Sequence, residues 1–380
     1  VKSDPAIAKK RAFRFQEGGL VLVILALGAL LTIFGGTVKM PKFAVNAQGE
    51  RERVFTTNAQ GEQEAVFEEK NKFLNAQNLT QLAKDTSFIA IMAVGATIVI
   101  IAGGIDLSVG AIYALASVVG AIFFHAVGPE GARATESFWV VPVGVLICVA
   151  VGAGCGLVNG GLIVALRVHP FIITLGTMAI FRGVAFVITN GQSVGVFPPA
   201  FRDLIRQGLP FGLGELSLRP LFVMLMVTLV GGIFLRRMAA GRRVYAVGGN
   251  ELASRYSGIR VERVKLGVFL ISGLTAGISA LLSIGYYGAA TSGDGSGYEL
   301  NVIAAAVVGG ASLSGGKGSA LGALLGALVI QMISSGIVIL GIDQNYSQII
   351  IGSVVILAVV LDQINAWLAR RRLTASSKQI

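Results

Sequence analysis

Ten apolar stretches follow one another along the chain, at 18–36, 87–104, 107–125, 138–166, 171–188, 220–235, 266–287, 301–313, 319–340 and 347–367. Most approach the roughly 20 residues that a helix needs to cross a bilayer. In lipid every backbone N–H and C=O must be paired within the protein, so a chain of this kind is confined to helices unless it closes a barrel. The stretches lack the period-2 alternation of barrel strands, so we expect an all-α polytopic membrane protein with about ten transmembrane helices. The eighth stretch is short and the fourth is long, and neither is required to be a straight span. At 54% hydrophobic and 13% charged residues, the composition excludes an ordinary soluble domain.

Charge sets the orientation. With the N-terminus inside, the cytoplasmic loops and tails hold 19 Lys and Arg, against Arg133, Arg202, Arg206 and Arg219 in the short external loops. Both termini are therefore expected to be cytoplasmic. The division that follows is a tail at 1–17, a membrane domain at 18–368 and a tail at 369–380. The net charge of +11 sits at the ends of apolar runs, which topology explains more simply than nucleic-acid binding does. Lys9, Lys10, Arg11 and Arg14 before the first run resemble a signal peptide, but a 19-residue run is long enough to span, so a retained helix is expected.

The longest cytoplasmic loop, 236–265, carries seven arginines and one lysine against two glutamates. Within it Asn250 is a good N-cap, Glu251 and Arg255 suit the helix dipole at its two ends, and Gly258 suits the left-handed C′ position. Two turns of helix are unstable alone in water, so this one needs a partner.

The external loop 37–86 contains a tandem twelve-residue repeat, AVNAQGERERVF (44–55) and TTNAQGEQEAVF (56–67). Each copy reads as a hairpin around a polar NAQGE turn. Such hairpins either touch an external partner or form a tolerated surface insertion.

Two glycine-rich breaks interrupt the apolar pattern, GGIDLSVG (103–110) and GGASLSGG (309–316), and they align as an internal repeat. Asp106 and Ser108 have two readings: they cap the third helix, or they touch a solute path through the membrane. The second break imitates a phosphate loop at Gly310–Lys317, but its spacing is one residue off and Gly318 stands where Ser or Thr is needed. With no nucleotide motif in the chain, any ATP is bound by another subunit. Glycines four apart, Gly152, Gly156 and Gly160 in the fourth helix and Gly318, Gly322 and Gly326 in the ninth, mark close helix packing, either within one subunit or across a dimer. Arg182 in the fifth helix is either functional or an arginine paired near the outer interface, and Asn190 and Gln192 after it offer amides that bond hydroxyls. Cys148 and Cys155, two helical turns apart, are about 10 Å from one another along the axis and form no disulfide. No His, Cys and carboxylate cluster has ligand spacing, so no metal or other cofactor is expected.

Five stretches together resemble one family: GGIDLSVG, TLGTMAIFRG (174–183), GRRVYAVGGN (241–250), ASRYSGI (253–259) and AVVGGASLSGG (306–316). They are similar, in order and spacing over about 85–370, to permease subunits of ribose-type ABC importers, whose members carry ribose, arabinose, xylose and galactose. The resemblance implies a non-catalytic transport subunit in the bacterial inner membrane that moves a monosaccharide. Its implied partners are a second copy of itself, a cytoplasmic ATPase of two nucleotide-binding halves and a periplasmic sugar-binding protein. It further implies that the 236–265 loop carries the ATPase-coupling helix, with Glu251, Ala253 and Gly258 at the family's matching positions and Asn250, Arg255, Tyr256 and Ile259 beside them. Asp106, Ser108, Arg182, Asn190 and Gln192 are candidates for the sugar path on their own chemistry. In this chain Asn301 follows YEL where related permeases often carry Asp. A secondary transporter or facilitator is the rival reading, and Asp106 would be its one candidate for proton coupling.

Overall fold

The computed structural model describes residues 15–45, 51–57, 62–131, 133, 137–206, 218–357 and 359–360. The two tails, the tips of the NAQGE turns and the end of the tenth apolar stretch lie outside the described residues. The described residues are mostly helical, with four small two-stranded ribbons.

Helix α1 (Phe15–Phe34) leads into strands β1 (Thr37–Pro41), β2 (Phe43–Val45), β3 (Arg51–Arg53), β4 (Phe55–Thr57), β5 (Gln63–Ala65) and β6 (Phe67–Asn71). Then come α2 (Ala76–Ile101), α3 (Val109–Val127), α4 (Val140–Leu166), α5 (Pro170–Thr189), β7 (Val194–Gly195), α6 (Pro199–Arg206) and α7 (Arg219–Arg237). After them run α8 (Ala239–Gly249), α9 (Glu251–Tyr256), α10 (Val261–Tyr287), β8 (Ala289–Ala290), α11 (Tyr298–Val308) and α12 (Ala320–Ile339). A further helical stretch begins at 347. Among the described residues eight helices are long and apolar enough to cross a membrane: α1, α2, α3, α4, α5, α7, α10 and α12. The eighth apolar stretch is the exception in length. It becomes α11, only 11 residues, because Gly309 and Gly310 end it.

Helix α2 is the hub, enclosed by α7, α10, α11 and α12. Its run from Thr86 to Ile101 is buried without interruption, so it shows no amphipathic stripe. The tightest pair is α4 with α10. There Gly152 lies against Gly273 and Gly277, and Gly156 against Phe269 and Leu270, backbone to backbone. Small residues at such a crossing let van der Waals contact replace the hydrophobic drive that lipid removes.

The twelve-residue repeat builds a three-way β junction. β1 pairs with β6, β2 with β3 and β4 with β5, all antiparallel. At the centre three residues twelve apart bond in a ring: Lys42 N–H to Val66 C=O at 2.8 Å, Val54 N–H to Lys42 C=O and Val66 N–H to Val54 C=O, both at 2.9 Å. The junction is tied down by Asn71, whose amide donates to Thr32 C=O, and by Phe73, buried among Leu31, Leu82, Met332 and Ile339.

Candidate functional site

Helix α9 is short, and its ends are fully specified. The Asn250 side chain accepts from Ala253 N–H at 2.9 Å. At the other end Gly258 has φ +81°, with Ile259 N–H bonded to Ser254 C=O at 3.0 Å and Gly258 N–H to Arg255 C=O at 3.1 Å. This is a Schellman closure, and a left-handed C′ residue strongly favours glycine. Glu251 and Arg255 do not face outward freely. Lys265 Nζ is 2.9 Å from both Glu251 carboxylate oxygens, Arg255 Nη1 is 2.8 Å from Glu262, and Arg255 Nη2 is 3.7 Å from Glu251. Single exposed pairs contribute little, but a connected network fixes α9 against the start of α10. The large apolar side chains that α9 leaves exposed are Leu252 and Tyr256, at 67% and 88%.

Helix α8, which carries no side-chain N-cap, connects α9 to both membrane breaks. A Cβ at Gly248 would stand 1.7 Å from Ile101 O, at the end of α2, and 2.8 Å from Gly316 N in the second break. Gly316 N–H donates to Ile101 C=O at 2.9 Å, and Tyr245 Oη donates to Gly318 C=O at 2.8 Å. One glycine thus touches the ends of two membrane segments at once. A cleft of about 1050 Å³ beside it is shared by Gly103, Gly104, Arg167, Asn250, Glu251 and Lys265.

Both breaks end a helix in the same way. Gly103 has φ +81° and Gly104 N–H bonds to Val99 C=O; Gly310 has φ +91° and Ala311 N–H bonds to Ala306 C=O. The left-handed glycine is the first of its pair in one copy and the second in the other. The expected alignment is therefore one residue out of register at the cap. The segments that follow also differ, since α3 starts at Val109 and α12 at Ala320.

Asp106 is buried at the first break and its carboxylate is fully engaged. Oδ1 accepts from Ser108 N–H at 3.0 Å and from Ser108 Oγ at 2.6 Å, while Oδ2 accepts from Ser272 Oγ at 2.7 Å. Asn159 Nδ2 donates in turn to Ser108 Oγ at 2.7 Å. These bonds join α10 and α4 to the break. Replacing Asp106 with Ala leaves the Ser108 and Ser272 hydroxyls without their acceptor, an expected loss of about 3 kcal/mol. The buried thiols of Cys148 and Cys155 provide the readout, through a thiol-reactive dye during heating. We expect a clearly lower unfolding midpoint for Asp106→Ala, with Asp106→Asn closer to the parent.

The remaining expected site residues are dispersed. Arg182 Nη1 donates to Ser292 C=O at 2.9 Å and Asp294 C=O at 3.1 Å, latching α5 to the loop between α10 and α11. Asn190 is the left-handed C-cap of α5, with φ 50°, and Gln192 is exposed just beyond it. Gly160 packs on Leu266, continuing the Gly152 and Gly156 contact with α10, while Gly322 and Gly326 pack on α11 at Gly309 and Ala305. Gly318 differs from the helical stripe expected of it. It precedes the Ser319 N-cap of α12 and sits in the loop against Ile101, with φ +150°. Sequence reasoning missed α8 altogether. The pair Gly248–Gly249 just before the Asn250 cap was the available sign that a backbone must approach closely there.

Comparison with known proteins identifies the family. The branched-chain amino acid transport system / permease component family matches residues 78–359. The chain is 39% identical to the ribose import permease protein RbsC of Escherichia coli (strain K12) over 293 residues, 76% of this chain and 87% of the relative. It is 37% identical over 295 residues to the D-allose transport system permease protein AlsC of the same strain, covering 77% and 85%. To the autoinducer 2 import system permease protein LsrD of Escherichia coli O9:H4 (strain HS) it is 32% identical over 316 residues, covering 79% and 90%. No solved structure matches.

Proposed function

The chain belongs to the branched-chain amino acid transport system / permease component family, and within it we propose that this is the permease subunit of an ATP-driven importer of a monosaccharide. Two relatives are named for ribose and allose, which are neutral polyols, and this favours a sugar over an amino acid as cargo. The complex we propose contains two copies of this chain, a cytoplasmic ATPase with two nucleotide-binding halves and a periplasmic sugar-binding protein, in a bacterial inner membrane. The loop 236–265 then faces the cytoplasm and the β junction the periplasm.

The observation that carries the reading is the joint at Gly248. Helix α9 presents Leu252 and Tyr256 outward, and through α8 it is seated on the ends of α2 and α11–α12. Movement of a gripped α9 reaches both breaks without passing through a flexible loop. Asn250, Ala253 and Gly258 shape the coupling helix, Glu251 and Arg255 brace it, and Tyr256 contacts the ATPase, with Ile259 closing its end. Asp106 and Ser108 act as the hinge at one end of the path. Arg182, Asn190 and Gln192 stand at the other end, where Arg182 holds the outer loop. The chemistry of ATP hydrolysis belongs to the partner.

The test is Gly258→Val. No atom would lie within 4 Å of the added Cβ, so its effect comes from the left-handed backbone alone, which a β-branched residue resists by roughly 1–2 kcal/mol. The chain should insert at the parental level while sugar imported per ATP hydrolysed falls about tenfold, the reorganisation of α9 being charged to each cycle. A parental ratio would remove α9 from the coupling route.

A further inference from the structure

The end of the hub helix nearest the β junction carries a cluster that none of the foregoing uses. Asp85 on α2 accepts at one oxygen from Gln81 Nε2 at 2.9 Å and from Tyr287 Oη at 3.1 Å. Lys84 Nζ donates to Tyr286 Oη at 3.1 Å and lies 4.6 Å from the centre of that ring. Tyr298, at the start of α11, is within electrostatic reach of both Asp85 and Tyr287.

An ordinary aromatic belt at the lipid boundary does not account for it. Belt tyrosines ring the outside of a bundle, with their bodies toward lipid. Here Lys84 and Asp85 project from α2, the helix most enclosed by others, and their bonds run to Tyr286 and Tyr287 at the end of α10. The second Asp85 oxygen and the Tyr298 hydroxyl have no protein partner among the described residues, and Lys84 has donors to spare. The tyrosines also continue inward. Tyr298 lies 5.4 Å, ring centre to ring centre, from the buried Tyr113, whose hydroxyl is bonded to Ser283.

We propose that Gln81, Lys84, Asp85, Tyr287 and Tyr298 form an outer vestibule that binds a monosaccharide-sized cyclic polyol on its way into the membrane. Sugars present alternating hydroxyls and apolar C–H faces. A carboxylate with one free oxygen and an ammonium take the hydroxyls, and the exposed ring of Tyr287, beside the half-buried Tyr298, takes the C–H face. The proposal rests on the importer reading, to which it adds a site.

The test uses the complete complex in proteoliposomes, with D-ribose and its monodeoxy analogues each presented at saturation of the binding protein. A merely structural role for Asp85 or Tyr298 would lower import of all these sugars alike. A direct contact makes the parent prefer D-ribose over at least one deoxy analogue, and Asp85→Asn or Tyr298→Phe should collapse that preference about tenfold, as expected for one hydrogen bond to a charged or buried partner. An unchanged preference ratio in both variants, with ATP-dependent import intact in the parent, overturns the vestibule alone. Absence of ATP-dependent import of every monosaccharide tried in the parent, D-ribose, D-allose, arabinose, xylose and galactose included, overturns the importer reading and the vestibule with it.

Discussion

Gly248→Ala is expected to reduce sugar uptake by about 100-fold or more, while Gly249→Ala remains within about twofold of the parent, the contrast between a filled contact and an open surface site. The two glycines are neighbours near the end of α8, and the substitution adds the same methyl group to each. At Gly248 it would stand 1.7 Å from a backbone oxygen of α2 and 2.8 Å from a backbone nitrogen of the second break; at Gly249 it would meet nothing within 4 Å. Backbone cannot yield by rotating a side chain, so α8 must lift away from Ile101 and Gly316. The joint then opens, and motion of α9 no longer reaches the membrane segments together. Uptake by membrane vesicles, normalised to the amount of chain in the membrane, checks the pair. Equal loss in both variants would mean that helix propensity, not the joint, is responsible.

The second large effect concerns folding. Gly152→Val places a branched side chain where a Cβ alone would lie 2.3 Å from Gly273 O and 2.8 Å from Gly277 N. Helices α4 and α10 would have to separate by more than an ångström, losing the contact that continues at Gly156 and Gly160. Overpacking against backbone is expected to cost at least about 3 kcal/mol, and the yield of monodisperse protein in detergent should fall at least tenfold. Gly154→Val, two residues on and open to the surface, should extract like the parent. Similar yields for the two variants would show that α4 and α10 are not held by this crossing.

These two sites differ in how readable they were. The caps of α9 are local: Asn250 reaches the first turn of its own helix, and Gly258 needs only its own φ, so both ends of the helix were legible from the nine residues 250–258. The membrane helices were legible for the same reason, as length and apolarity are properties of a single segment. Helix α8 was not, because Met238 offers no cap and its buried positions, Gly241, Val244 and Val247, acquire meaning only against α7 and the breaks. Asp106 shows the same limit. The partner that completes its carboxylate, Ser272, lies 166 residues away. Spacing could nominate Asp106 as a cap or as a path residue but could not reveal that it ties α10 to the break. The glycine stripe of α4 was readable as a close contact, whereas its partner surface, Gly273 and Gly277 on α10, was not. The repeat was seen as two copies, since only the hydrogen-bonded ring at Lys42, Val54 and Val66 exposes the third arm.

The vestibule and the joint occupy opposite ends of the hub helix. Asp85 lies in the first half of α2, and Ile101, its last residue, meets Gly248. In the importer we propose, the buried α2 between them would carry a change at α9 to the vestibule. This arrangement makes energy input from the loop 236–265 the central claim. The measurement that tests it most directly is D-ribose and D-allose accumulation in proteoliposomes containing this chain, with and without the ATPase and binding-protein subunits of its own system. The account predicts accumulation against a gradient only when both subunits and ATP are present, lost in Gly248→Ala and retained in Gly249→Ala. Uptake that proceeds equally well without the ATPase would contradict it and identify a facilitator.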